Sequence, residues 1–325
     1  MRIFVTGVGV ALPGADSTAA LAAAGNPGDP VEPASVLGKK GLRYKDRATQ
    51  LGLVAGHRVL TDAGLLHDGR LTADGTRVAV LVSSNLGNVD TVCRVARTIA
   101  DEGTRGLSPM DTPNASSNII ASEIAIRFGL HGPNLMVCNG PASGLDAVRW
   151  GAALLRSGRA DQAVVVGVEP DNAIVRELVG GPVADGGAAL VLERADAAGA
   201  RGATVRAELG GHARGASVAG NFARLAADEP AGIVGWFAPG DAAGALPAGL
   251  PGRDLAEVWG ELSGALGLVQ CATAISGFGS RTDGPVFLAA GGDGDDGSAA
   301  LVLRPPAPAA AGPAAAREIH RPRTH

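Results

Sequence analysis

Two nine-residue stretches, DGGAALVLE at 185–193 and DGSAALVLR at 296–304, are nearly identical. Each closes a run in which strand-like apolar segments alternate with helix-like amphipathic ones. Matched strands ending two successive α/β runs point to a duplicated unit. In an Ala-rich chain, small residues ahead of an apolar strand also recur without duplication, so the order of the surrounding segments carries the reading. The halves fall at 1–200 and 201–304, the second shortened. The Pro/Ala-rich remainder, 305–325, is expected to be a disordered tail.

The periodicity places the segments. Residues 3–10 read as a strand, and 46–63 as a helix with Ala48, Leu51, Val54 and Ala55 on one face. A buried-type strand at 77–83 leads into a helix over 91–100, and 113–128 reads as one helix or two. Strand 134–138 precedes an amphipathic helix over 142–157, with further strands at 163–168 and 188–192. The alternation resumes from 203. This is an α/β pattern with helices covering buried sheets. Gly7 and Gly9 could open a dinucleotide-binding GxGxxG. Leu12 stands where the third glycine belongs, and Pro13 follows, so the pair reads as close-packing glycines within the strand. Neither a Walker loop nor a GxSxG elbow occurs.

Composition narrows the function classes. Aromatic residues are only 3 % against 46 % hydrophobic, so the core must be Ala, Val, Leu and Ile. A net charge of -4 offers no nucleic-acid footprint. Cys93, Cys138 and Cys271 form no CxxC pair, which argues against a metal or disulfide framework and fits a reduced cytoplasmic setting. The opening MRIFVTGVGVALPG lacks the zones of a signal peptide, and no apolar run reaches membrane-spanning length. Asp293, Asp295 and Asp296 read as a solvated Gly-rich turn. No metal and no cofactor is implied.

Several stretches, taken in order, resemble the ketosynthases of fatty acid and polyketide synthesis. They are VTGVGVALPG at 5–14, LSPMDTPNASSNIIASEIAIRFGLHGPN at 107–134, LMVCNGPASGLDAV at 135–148, SGRADQAVVVGVE at 157–169 and DGGAALVLE at 185–193. The resemblance covers roughly 1–304 and implies a thiolase-like fold, with duplicated half-domains in a layered αβαβα architecture. In such enzymes a cysteine at a helix N-terminus takes the acyl chain, because exposed N–H groups there favour thiolate. Two histidines then stabilise the enolate formed from the malonyl thioester.

Against that pattern the chemistry is missing. The family turn reads like TACSSG, and Asn139-Gly140-Pro141-Ala142-Ser143-Gly144 sets Pro141 on the cysteine. Proline suits the first position of a helix, so the architecture is expected to survive without the nucleophile. The region matching the first histidine, 233–241, holds none. The GHxxGAAG-like region, 260–267, puts Glu261 on the second. The GFGG-like loop is replaced by 291–294. The six histidines, His57, His67, His131, His212, His320 and His325, fall off the catalytic positions and read as surface groups.

The resemblance extends to one subunit type, the chain-length factor of type II polyketide systems. It is a silent homologue that pairs with an active ketosynthase and shapes the acyl tunnel. Many such factors carry glutamine where this chain has Pro141, so a divergent branch such as a polyene-forming system is implied. The expected partners are an active ketosynthase subunit and, indirectly, an acyl carrier protein, with neither nucleic acid nor membrane. Leu86, Met110, Asp111 and Thr112 match the tunnel gate. The strand Asn134, Leu135, Met136, Val137 and Cys138 matches the dimer edge, with Ile119, Ile120, Ile124 and Ile126 packing nearby. Two alternatives stay open: an acyl-transferring enzyme with a relocated nucleophile, Cys138 or Cys271, and a homodimeric scaffold.

Overall fold

A computed structural model describes residues 1–23, 28–109, 112–292 and 294–307. Met110, Asp111, Asp293 and the tail from 308 onward lie outside the described residues. The first half supplies strands β1 (Ile3–Ala11), β2 (Val78–Ser83), β3 (Asn134–Val137), β4 (Gln162–Glu169) and β5 (Gly186–Arg194). The second supplies β6 (Ala207–Gly215), β7 (Gly235–Phe237), β8 (Gly252–Arg253), β9 (Val286–Ala290) and β10 (Ser298–Arg304). The longer helices are α1 (Arg47–Asp62), α2 (Val89–Glu102), α3 (Ile119–Phe128), α4 (Ser143–Arg156), α5 (Val218–Ala227) and α6 (Leu266–Gly277). The segment 113–128, which the sequence left as one helix or two, is a 3-10 turn at Thr112–Ala115 followed by α3.

The strands form one sheet in the order β8-β7-β9-β10-β6-β1-β5-β4-β2-β3. Counted from either edge inward, each half runs third, second, fourth, fifth, first. The parallel and antiparallel pairings match as well: β2 is parallel to β3 and β4, and β7 to β8 and β9. The nearly identical stretches occupy equivalent strands, β5 and β10. The halves join where Phe4 and Val5 of β1 pair with Glu208 and Ala207 of β6.

Three apolar clusters define the layers. One outer cluster sets α1 and α3 against β2, β4 and β5, and another sets α5 against β9 and β10. Between the halves, α4 and α6 fill the central cluster. The sequence explains how α4 and α6 come so close. A Cβ on Gly144 would lie 2.9 Å from the Gly267 nitrogen, and one on Gly267 2.5 Å from the Leu145 nitrogen. Only glycine at both positions allows that crossing. Gly7 and Gly9 act similarly, as expected. A Cβ on Gly9 would lie 2.5 Å from the Ala55 carbonyl oxygen of α1. Helix α1 starts where Asp46 accepts a hydrogen bond from the Thr49 amide at 2.7 Å. It buries Ala48, Leu51, Val54 and Ala55 as the periodicity predicts.

Candidate functional site

The site grows from the turn between β3 and α4. Gly140 adopts φ +77, a backbone state that favours glycine. The Ser143 amide bonds the Gly140 carbonyl at 3.0 Å, closing a turn with Pro141 and Ala142 in the middle. Proline with its preset φ suits the first central position of such a turn. Pro141 therefore stands ahead of the helix and not in its first turn. Ala142 flanks the helix, which begins at Ser143. The turn geometry is complete with a side chain that has no nucleophile.

Asn85, just past β2, holds this turn. Its Nδ2 donates to the Gly140 carbonyl at 2.9 Å and to Ser263 Oγ at 2.8 Å. Its Oδ1 accepts from the Gly140 amide at 3.3 Å and lies 3.1 Å from Ser143 Oγ. Asn85 thus ties together the first-half turn and a loop of the second half.

Behind Asn85 lies Glu169, which ends β4 and is fully buried. Oε1 accepts from the Asn85 amide at 2.6 Å and the Gly264 amide at 3.0 Å. Oε2 accepts from Ser84 Oγ at 2.9 Å and the Leu86 amide at 3.1 Å. Burial pushes this carboxyl up to about 7, against the pull of the four donors. When this carboxyl is protonated, Oε2 can donate to Ser84 Oγ, whose own hydrogen then turns to another acceptor. Neither Asn85 nor Glu169 was singled out from the sequence. The available signal was an acid closing an otherwise apolar strand, VVVGVE.

Glu261 faces the same region, but its carboxylate is occupied locally. Oε1 accepts from the Ser263 amide at 2.6 Å, in a loop where Ser263 adopts φ +38. The 233–241 segment contributes β7 and then a turn in which Asp254 accepts from the Gly240 amide at 2.8 Å. The structure brings this segment to the 291–294 loop: a Cβ on Gly292 would lie 3.2 Å from Asp241 Oδ2. Asp295 accepts from the Gly292 amide at 2.8 Å, which makes this acidic stretch a self-bonded turn.

Among the described residues two histidines depart from the surface reading. His57, on α1, is half-buried beside Phe128. His212, on β6, points inward towards Asp146 of α4, with Nε2 3.8 Å from the carboxylate. Burial, reinforced by Arg149 and Arg224, lowers it to about 4, so the imidazole is neutral near pH 7. Asp146 can draw it only weakly, because Arg214 pairs with that carboxylate and Asn139 donates to it at 2.7 Å. The sequence missed this because the inward register of β6 is set by its distant partner strand β10.

The cysteines offer no ready nucleophile. Cys138 is exposed, yet partial burial and the charge of Glu169 push its thiol up. Cys271 is wholly buried, and burial pushes its thiol far up.

Leu86 lies beside Glu169 through its amide. Thr112 is exposed on the 3-10 turn that Asn88 tethers through the Asn114 carbonyl at 3.4 Å. Met110 and Asp111, the other two positions expected at the gate, are outside the described residues. Strand β3 is the sheet's terminal strand, with Asn134, Leu135 and Cys138 exposed and Met136 and Val137 half-buried. Ile119, Ile120 and Ile124 require a correction. All three are buried in this chain's own core against α1 and β2, so they support β3 from within and offer no contact surface. The helical register turns only Ile126 outward, at 75 % exposure.

The comparisons agree with this geometry. Residues 34–176 match the beta-ketoacyl synthase N-terminal domain. The ishigamide ketosynthase/chain length factor superposes with a TM-score of 0.77 at 19 % identity, covering 94 % of this chain and 99 % of that one. The fold is the thiolase-like fold of the ketosynthases. A type II PKS acyl-carrier protein in complex with its ketosynthase bound to the hexaketide (AntDE:AntF, apo) gives a TM-score of 0.78 at 16 % identity, covering 94 % and 99 %. By sequence, the 3-oxoacyl-[acyl-carrier-protein] synthase 2 of Vibrio cholerae is 30 % identical over 133 residues, 41 % of this chain and 31 % of that protein. A granaticin polyketide beta-ketoacyl synthase of Streptomyces violaceoruber is 30 % identical over 206 residues, 53 % of this chain and 48 % of its own length. The chain thus spans about a third to a half of the curated relatives it matches.

Proposed function

We propose that this chain is a catalytically silent subunit of the chain-length-factor type. In this reading it acts in the cytoplasm beside an active ketosynthase, whose acyl tunnel it shapes, and meets an acyl carrier protein indirectly. The observation that carries the reading is Pro141 in an otherwise intact nucleophile turn, gripped by Asn85 on both the Gly140 amide and carbonyl. A turn preserved in such detail without its nucleophile fits a retained scaffold. Glu261 adds to it, since a carboxylate at that place repels a developing enolate.

Structures that share the fold include a ketosynthase/chain length factor and a ketosynthase in complex with its acyl-carrier protein. Those assemblies support the choice of partners proposed here. The proposed contact is the free edge of β3, with the gate formed from Leu86, Thr112, Met110 and Asp111. An acyl transferase built on Cys138 or Cys271 is disfavoured, because both thiols are held away from thiolate at neutral pH.

Co-expression tests the pairing. An affinity-tagged full chain, produced with an intact Cys-His-His type II ketosynthase from the same genome, is expected to purify as a one-to-one complex. Failure to retain any such ketosynthase at micromolar concentrations would remove the partner assignment.

A further inference from the structure

Helix α4 lies on β2 and β4, flanked on one side by α6 through the Gly144–Gly267 crossing. Helix α4 also contacts β3, the sheet's terminal strand, and its outward flank carries Asp146 against β6. That flank exposes Arg149, Trp150, Ala153 and Arg156, with Trp150 50 % exposed. The Arg149 guanidinium lies 5.9 Å from the Trp150 ring centroid. Among the described residues, neither Arg149 nor Arg156 makes an ion pair. Asp146 is the one acid in α4, and it is buried and taken up by Arg214 and Asn139. Strand β3 itself, Asn-Leu-Met-Val, is uncharged. Arg224 adds exposed positive charge nearby. The nearest acid on α3, Glu123, already pairs with Lys45.

We infer that this flank selects a partner of different sequence, one that presents carboxylates to Arg149 and Arg156, and disfavours pairing between two copies of this chain. The inference rests on the proposed pairing across β3 and adds how the correct partner is chosen. Across a two-fold axis the same patch meets itself. In a pairing that encloses this flank near the axis, two copies would crowd four arginines together with no acid from either α4 free to pair them. Like charges enclosed in an interface cost far more than on an open surface, and they suppress wrong partners. A homologous subunit bearing Asp or Glu on the facing helix turns the same contact from repulsive to attractive, while the apolar strand edge and Trp150 supply adhesion in either case.

The test needs no ketosynthase. Sedimentation velocity on the full chain is run at about 50 and about 500 mM salt, a range that shortens the screening length from over 10 Å to a few Å. Self-association is expected to strengthen on the order of tenfold with added salt, because screening relieves the repulsion. The double variant R149E/R156E, mixed with the wild type at low salt, is expected to form mixed dimers more readily than either chain pairs with itself. R149K/R156K, which keeps the charge, is expected to behave as the wild type. Circular dichroism checks that each variant is folded. Wild-type self-association that is unchanged or weakened by salt overturns the inference, as does a mixture no tighter than the wild type alone. The co-expression experiment is read separately: it can fail while these charge effects hold, which would sink the proposed function and leave the selectivity of the surface standing.

Discussion

At the scale of single residues, two positions decide what this site can do. Pro141 keeps the turn, because proline fits a central turn position as comfortably as it fits a helix start, and in the proposed reading it stands where the nucleophile would be. Glu169 sets the loops around it. Its buried carboxyl is raised from an ordinary 4.5 to about 7. The folded state therefore holds a proton that the unfolded chain has released between those values, and stability falls as pH rises through that window. The size is on the order of 3 kcal/mol, since each pH unit of displacement is worth about 1.4 kcal/mol. His212, lowered from 6.5 to about 4, acts in the opposite sense up to about pH 6.5, so the Glu169 contribution is read as a difference between two chains. In urea titrations from pH 4.5 to 7.5, Glu169→Gln, which cannot titrate, is expected to gain stability with rising pH more steeply than the wild type, even if it is less stable throughout. An unchanged slope in the variant would assign the titration elsewhere. The proposed loss of the catalytic residues rests on motif positions in the sequence alone. Asn85 and Glu169 were not legible there, because their roles depend on contacts across 55 to 178 residues of chain separation.

At the scale of elements, the central pair of helices is the most exacting contact. Gly144→Ala or Gly267→Ala forces α4 and α6 apart, since a Cβ at either position meets backbone at 3.0 Å or less. The expected loss is on the order of 1–3 kcal/mol, as for other overpacked sites. Thermal unfolding measures it. Gly199→Ala serves as the control: it sits in a short helix where a Cβ meets nothing within 4 Å, and it should leave stability unchanged or slightly raised. Equal effects at 144 and 199 would remove the close-crossing explanation. The elements themselves were largely readable, because apolar periodicity is local. The inward packing of Ile119, Ile120 and Ile124 was not, since four isoleucines within eight positions cannot all face one way on a helix, and only the position of α1 decides which three are buried.

At the scale of the molecule, the repeat at 185–193 and 296–304 becomes two halves with one strand order. The sequence implied the repeat, but not the continuous sheet, whose junction is a brief pairing between strands some 200 residues apart. The proposed silence of the site is the central claim, and acyl loading tests it most directly. The full chain and its Pro141→Cys variant are incubated with an acyl carrier thioester, with and without an intact ketosynthase, and each polypeptide is weighed by intact-protein mass spectrometry. The account predicts an acyl adduct on the ketosynthase cysteine and none on the wild-type chain. It also predicts no condensation product from Pro141→Cys alone, because neither histidine position is filled. An acyl adduct on the wild-type chain, mapped to Cys138, would contradict it.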